Sequence, residues 1–297
     1  MTTLTNERQL TFEEQMNLTN VREQLLQPKK LRLNTGLEGF DVPDTYGIFK
    51  HTGGNALGVV GSVFEPTNLH NFLDAIEYSV KNSGANLDLS KLTYKEYQEG
   101  AKVLFRIPLR EYFIETPMKG DTLETSLEFR TGFDGMTKIS LGFYSLRLWC
   151  SNGAKNWQKD VDVSMKNTAN NQHKLLAMTN EIIKVSKMTE LHVQMLNEAV
   201  KVKVTDAKVQ EFICNLLGFK PAELNERSTR TRNIFDAINA SAAIEMSNTG
   251  KNLFSLLQGV TRYTTHDLAK GDEEAILYNR ASVINRDAHQ LVFAELN

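Results

Sequence analysis

Six histidines and two cysteines are the residues of this 297-residue chain best suited to nucleophilic, acid–base or metal chemistry. His51, His70, His173, His192, His266 and His289 stand singly, with no HExxH, HxH or CxxC companion. A zinc or hydrolytic site needs such spacing to bring several ligands or a nucleophile and its base together, so each histidine reads as a surface or capping residue. Cys150 falls on an apolar strand and reads as a small core hydrophobe. Asp134-Gly135 is a cation-binding candidate but also a common turn dipeptide, and the turn is the expected role. No phosphate-binding loop is present, because Gly53-Gly54 before LGVVG lacks the Lys-Ser/Thr pair and the dinucleotide spacing. Gly58 and Gly61 therefore read as close strand packing or bulges. No catalytic residue, metal site or cofactor is expected.

Cations interleaved with aromatics are a different signal, since phosphates need cations and unpaired bases need stacking surfaces. Lys102, Arg106 and Arg130 fall on the polar side of alternating segments, with Arg110 and Lys138 near their ends. Tyr94, Tyr97, Tyr112, Phe113 and Tyr144 lie among them. Glu124 and Glu128 share the polar side, so cross-strand ion pairing competes with phosphate binding. Arg147, in FDGMTKISLGFYSLRLWCSN, shares a strand face with Ile139, Leu141, Phe143 and Trp149. A guanidinium in that setting must be hydrogen-bonded, either by an internal carboxylate such as Glu128 or by a ligand phosphate.

These residues depend on a sheet. Period-two alternation dominates from Tyr46 to about Met165. It is clearest over 123–131, where Leu123, Thr125, Leu127 and Phe129 oppose Glu124, Ser126, Glu128 and Arg130. That pattern predicts an antiparallel sheet with one face buried and one in water. LGVVGSVF at 57–64 reads as a buried strand, and Asn68 to about Lys81 as an amphipathic helix packed on the sheet. A further strand over 158–165 is expected to pair with 139–150. Before the sheet, residues 12–26 carry a near-helical stripe. The following arm, interrupted by Pro28 and Pro43, reads as irregular, with Lys29, Lys30 and Arg32 as a small basic cluster. After residue 168 the period becomes helical. One helix of about eight turns is followed by others near 206–217, 230–246, 250–263 and 273–295, with Gly218 and Pro221 as a stop after the second. The expected class is α+β. An N-terminal helix and arm (1–45) precede a core of twisted antiparallel sheet and packed helix (46–168), then an all-helical C-terminal region (169–297).

Charge sets limits on partners. With 34 basic and 36 acidic residues the net charge is −2, so any nucleic-acid surface is a local patch. Two cysteines are too few for a disulfide framework, which favours a reducing compartment. The polar, acidic N-terminus does not read as a secretory signal, and no run approaches the roughly 20 apolar residues of a membrane span. A cytoplasmic chain with no membrane partner is expected.

Three blocks resemble a family of phage- and plasmid-borne proteins defined by the domain of unknown function DUF932. They are YGIFKHTGGNALGVVGSVF (46–64), the stretch from Gly100 to Asn152 ending in RLWCSN, and NLFSLLQGVTRYTTH (252–266). Met136, Phe254, Arg262 and Thr265 depart from the family's pattern. The resemblance implies a mobile-element protein in the bacterial cytoplasm and delivers no reaction. By analogy with Rad52-type annealing proteins, which share a twisted sheet, a packed helix and a basic groove, it suggests single-stranded DNA binding or annealing. Lys102, Arg106, Arg110, Arg130, Lys138 and Arg147 would hold phosphates, and Tyr112 and Tyr144 would stack on bases. The helical region offers a surface for a homo-oligomer, although the stripe of its long helix is also wide enough to pack on its own domain. The rival expectation is a host-takeover factor that binds protein and no nucleic acid.

Overall fold

Thr11 starts the first helix by a reciprocal cap. Its hydroxyl accepts from the Glu14 N–H at 3.2 Å while the Glu14 carboxylate accepts from the Thr11 N–H at 3.0 Å. The helix that follows, α1 (Phe12–Gln24), buries Leu18 and Val21, while Phe12 and Met16 remain exposed. The structure is a computed structural model. It describes residues 8–34, 36, 40–83, 85, 87–147, 152–156, 163–169 and 171–296. Cys150 and Trp149 of the sequence motif lie outside the described residues.

The chain divides into two compact units. The first comprises residues 1–109, 126–142 and 159–187, and the second residues 110–125, 143–158 and 188–297. Among the described residues no helix is long and apolar enough to cross a membrane.

In the first unit the arm is not irregular. β1 (Pro28–Asn34), β2 (Asp41–Lys50) and β3 (Gly58–Val60) form an antiparallel sheet in that order. Both prolines are accommodated. Pro28 begins an edge strand, where a missing donor is tolerated. Pro43 falls where the register shifts between the pairs Arg32–Tyr46 and Asn34–Asp41, beside Asp44 with φ of 49°. Lys30 is a structural member of this sheet. Its ammonium donates to the Ser62 and Phe64 carbonyls at 2.7 and 2.5 Å and stands 4.6 Å from the Tyr46 ring centroid.

The larger sheet has the order β4 (Thr93–Tyr97), β5 (Lys102–Phe113), β6 (Thr122–Gly132), β7 (Ile139–Arg147) and β8 (Asn152–Asn156), with β9 (Val163–Met165) also on β7. Its antiparallel ladders confirm the expected mixed class. Asn68 caps α2 (Leu69–Asn82), whose Phe72 meets Phe105 of β5 edge-to-face at 5.5 Å. The expected solvated face does not exist on β6. Thr125 to Gly132 are buried on both sides, Ser126, Glu128 and Arg130 included. The alternation of polar residues reports ion pairing inside the sheet rather than contact with water.

Asp134 closes the β6–β7 turn. Its carboxylate accepts from the Met136 and Thr137 N–H groups at 2.9 and 2.7 Å and from the Thr137 hydroxyl at 2.8 Å. Asn167 braces the same turn by donating to the Gly132 and Thr137 carbonyls, 3.0 Å each. β3 lies against it so closely that a Cβ on Gly58 would sit 2.2 Å from the Phe133 carbonyl oxygen. Gly58 is thus held by close packing, and it seats the LGVVG block on the FDG turn. Gly58→Ala is expected to cost about 1–3 kcal/mol, because backbone rather than a mobile side chain must move. A thermal melt followed by circular dichroism should show a midpoint several degrees lower. An unchanged midpoint would show that the approach is slack.

The helical region begins with α3 (Asn171–Lys201) and continues through α4 (Asp206–Leu216), α5 (Thr229–Thr249) and α6 (Leu253–Arg262), which runs into a π-turn over Tyr263–Leu268. α7 (Glu273–Tyr278) and α8 (Arg280–Ala294) follow. The single helix expected over 273–295 breaks at Asn279, whose backbone is extended (φ −106°, ψ −164°). α5 and α6 approach closely, since a Cβ on Gly259 would lie 2.4 Å from the Ala242 Cα. Apolar residues of α4, α5, α6 and α8 share the core of the second unit with Leu196 and Ala199 of α3.

Candidate functional site

Three of the six cations expected to meet phosphates, Arg106, Arg130 and Arg147, are paired within the protein. In the first unit Glu128 sits between two guanidiniums. Arg106 Nε and Nη2 reach its Oε1 at 3.0 and 2.5 Å, and Arg130 Nη2 donates to its Oε2. Arg130 is 2% exposed and Glu128 fully buried. Burying carboxylate and guanidiniums together offsets desolvation that either would suffer alone. Arg106 and Arg130 therefore tie β5 to β6, and their expected role on phosphates is corrected to an internal one. Lys102 is half-buried on β5 and Lys138 is exposed after the turn. Arg110 is placed near the end of β5. Neither expected stacking ring is free for bases: Tyr144 is buried in β7, and Tyr112 packs against the core of the second unit.

Arg147 resolves to the internal pair, with partners other than Glu128. Its Nε and Nη2 donate to Asp121 Oδ1 and Oδ2 at 2.6 and 2.5 Å, a two-pronged contact, and its Nη1 donates to Glu245 Oε2 at 2.9 Å. The guanidinium stands 5.1 Å from the Phe254 ring centroid, and Arg262 approaches the far oxygen of Glu245 at 3.7 Å. All three members of the Asp121–Arg147–Glu245 cluster are at most 1% exposed. β7 is thereby fastened to the loop preceding β6 and to α5.

Two of the histidines are not isolated. His192 of α3 and His289 of α8 are buried with ring centroids 5.4 Å apart, and Phe143 and Phe293 pack on His192 at 5.5 Å each. His289 Nδ1 lies 2.8 Å from the Asn285 carbonyl oxygen, which favours a neutral tautomer with its proton on Nδ1. Burial pushes both imidazoles down, His289 to about 4 and His192 well below its usual value, the latter helped by the neighbouring His289. Two neutral rings packed against aromatics serve the core. Among the described residues no group of three histidines, cysteines or carboxylates is placed to hold a metal. Cys214 is buried, and burial pushes its thiol up, away from nucleophilic reactivity.

Cations do converge elsewhere in the second unit, on a cleft of about 770 Å³ that the sequence did not single out. It is lined by Val200, Lys201 and Lys203, by Thr249, Gly250, Lys251 and Asn252, and by Glu115, Thr116 and Pro117. The lysine-bearing segments are joined by backbone pairing. The segment after α3 and the segment before α6 bridge through Lys203 and Asn252, with Val204 N–H on the Lys251 carbonyl (3.2 Å) and Leu253 N–H on the Val202 carbonyl (3.0 Å). Gly250, at φ +86°, permits the reversal from α5 into that segment. Asn252 then caps α6 through the Ser255 N–H at 2.8 Å and donates to the Thr249 carbonyl at 2.9 Å. Residues 115–117 are held beside α3 by the Glu115 N–H, which donates to Asn197 at 2.9 Å. The Arg147 cluster braces two of these segments. Asp121 ends the loop that bears residues 115–117, and Glu245 lies one turn before Thr249, whose hydroxyl donates to its carbonyl at 2.9 Å.

The three ammonium groups are available. Lys201 and Lys251 pair with Glu198 (2.7 Å) and Asp206 (2.5 Å) at exposed positions, where such pairs contribute little and exchange readily. Lys203 makes no ion pair among the described residues. Three lysines line the cleft with Glu115, and an extended anion would compete there with Glu198 and Asp206 for two of them. The signals in the sequence were only KVK at 201–203 and GK at 250–251, ordinary until folding juxtaposes them. The family described as "Domain of unknown function (DUF932)" matches residues 56–288. No curated protein and no solved structure matches the chain.

Proposed function

The chain belongs to the DUF932 family, and on that premise we propose that it binds single-stranded DNA, holding phosphates in the lysine-lined cleft of its second unit. The observation that carries this reading is the convergence of Lys201, Lys203 and Lys251 on that cleft. Net charge gives no general attraction for polyanions, so binding must be local, and three exposed lysines line this cleft. The phosphate role moves from the sheet to this cleft, with Lys138 as an outlying surface cation. A phage or plasmid setting, with DNA strands exposed in recombination or replication, is the context the family resemblance supplies. Annealing of complementary strands is the activity to assay once binding is measured.

Fluorescence anisotropy of labelled oligo(dT) at two or more salt concentrations tests the reading. Wild-type protein should bind with an affinity that falls as salt rises, because phosphate contacts release counterions. Changing Lys201, Lys203 and Lys251 together to alanine should weaken binding at least tenfold and reduce the log–log salt slope by about 2, given roughly 0.7 per contact on single strands. The side chains are exposed, so the melting midpoint should stay near that of wild type. Equal affinity and slope for the two proteins would refute the cleft as the phosphate site.

A protein partner is the second reading. It is favoured by the outer face of the three-stranded sheet, where Leu31 and Val59 stand exposed in one cross-strand row with Gly47 between them. Capture from host lysate with and without nuclease separates the readings, since a partner retained after nuclease treatment favours this one.

A further inference from the structure

The uncharged polar side chains that line the lysine-bearing cleft are already engaged inside the protein. The Thr116 hydroxyl donates to the buried Asp121 carboxylate at 2.7 Å. Thr249 is buried, with its hydroxyl on the Glu245 carbonyl at 2.9 Å and 2.7 Å from the Ser255 hydroxyl. Asn252 is 5% exposed; its amide donates to the Thr249 carbonyl and accepts from the Ser255 N–H. Much of the backbone between α5 and α6 is committed as well. The Gly250 N–H donates to the Met246 carbonyl at 3.0 Å, and the Gly250 and Lys251 carbonyls accept from the Ser255 hydroxyl and the Val204 N–H. Val200 and Pro117 add only apolar surface, and none of the described residues lining the cleft is aromatic.

We infer that the cleft recognises the phosphodiester chain alone, so that its ligand is a nucleic-acid strand taken without regard to base or sugar. This deepens the reading of the cleft as a nucleic-acid site and rests on it. Reading a base takes a ring to stack on, or a donor and acceptor free to meet the base edge. Telling RNA from DNA takes a partner for the 2′-hydroxyl. The side chains suited to either task, Thr116, Thr249 and Asn252, are turned to the protein's own groups. Phosphates ask only for cations, and the three lysines are exposed. Glu115 is the lining side chain that could still accept from a base, and only from one with an amino group, such as cytosine.

Anisotropy with four labelled strands of equal length, oligo(dT), oligo(dC), oligo(rU) and an abasic strand, tests the assignment. Wild-type protein should bind all four within about threefold and with one salt slope, since the electrostatic contribution is common to them. The triple lysine variant should weaken all four by the same factor. An abasic strand bound about tenfold more weakly than oligo(dT), the loss expected for a stacked base, would overturn base independence while the phosphate cleft stands. A preference for oligo(dC) over oligo(dT) that Glu115→Gln abolishes would overturn it too, as would a comparable difference between oligo(dT) and oligo(rU). If the triple lysine variant binds every strand like wild type, the cleft itself is refuted and the inference with it.

Discussion

Arg147→Met is expected to destabilise the protein by roughly 3–5 kcal/mol, the usual cost of removing one member of a buried ion cluster. The substitution nearly preserves volume, so the loss is electrostatic. Asp121 and Glu245, both at most 1% exposed, are left with no guanidinium between them. Thr116 still donates to Asp121 at 2.7 Å, and Arg262 remains 3.7 Å from Glu245. Neither replaces a two-pronged contact. Urea denaturation should show the loss as a lower midpoint in the transition that reports on the second unit. Changing Arg147 to Met together with Asp121 and Glu245 to Leu should recover most of it, because an apolar replacement of a whole buried cluster is often neutral. A single Arg147→Met variant within 1 kcal/mol of wild type would show that the carboxylates reach water or other partners. Because the same cluster holds the Asp121 loop and α5, and each contributes to the cleft, the single variant should also lose oligo(dT) affinity.

How far the sequence led differs from element to element, and the reason is sequence separation. Features decided within a few residues were legible: the Asp134 turn, the end of α4 before Gly218, the amphipathic α2 and the alternation of 123–131. The burial of that alternation was not legible. Glu128 finds Arg106 22 residues away, and a paired polar residue looks the same in sequence as a solvated one. Arg147 was recognised as needing a partner, yet Glu245 lies 98 residues further on. The arm was read as irregular because proline usually interrupts strands, whereas here both prolines fall where the ladder asks for no donor. The lysines of the cleft come from either side of α4 and α5. No periodicity relates them, and only the short bridge of Lys203 with Asn252 brings them together.

The buried imidazole pair gives the second large effect, an acid sensitivity above the range where most carboxylates titrate. In the unfolded chain both histidines take protons near pH 6.5, while in the folded protein His289 does so only at about 4 and His192 well below its usual value. Between those limits the unfolded state binds more protons than the native state, so stability falls as pH falls. Stability from the neutral pair is complete above pH 6.5 and is lost on descent toward pH 4. For His289 alone the shift corresponds to roughly 3 kcal/mol, at about 1.4 kcal/mol for each pH unit. His192 adds to the loss in the same direction. Urea midpoints of wild type measured from pH 7.5 to 4 should therefore fall more steeply than those of a His192→Leu/His289→Gln variant. That variant starts lower at pH 7.5, because it loses ring packing against Phe143 and Phe293, so the informative quantity is the slope. The carboxylates are the same in both proteins, so their contribution cancels in the comparison. Parallel curves between pH 6.5 and 4 would mean that the rings are hydrated or gain a charged partner on protonation. A converging pair of curves is the outcome that the packing of His192 against His289 demands.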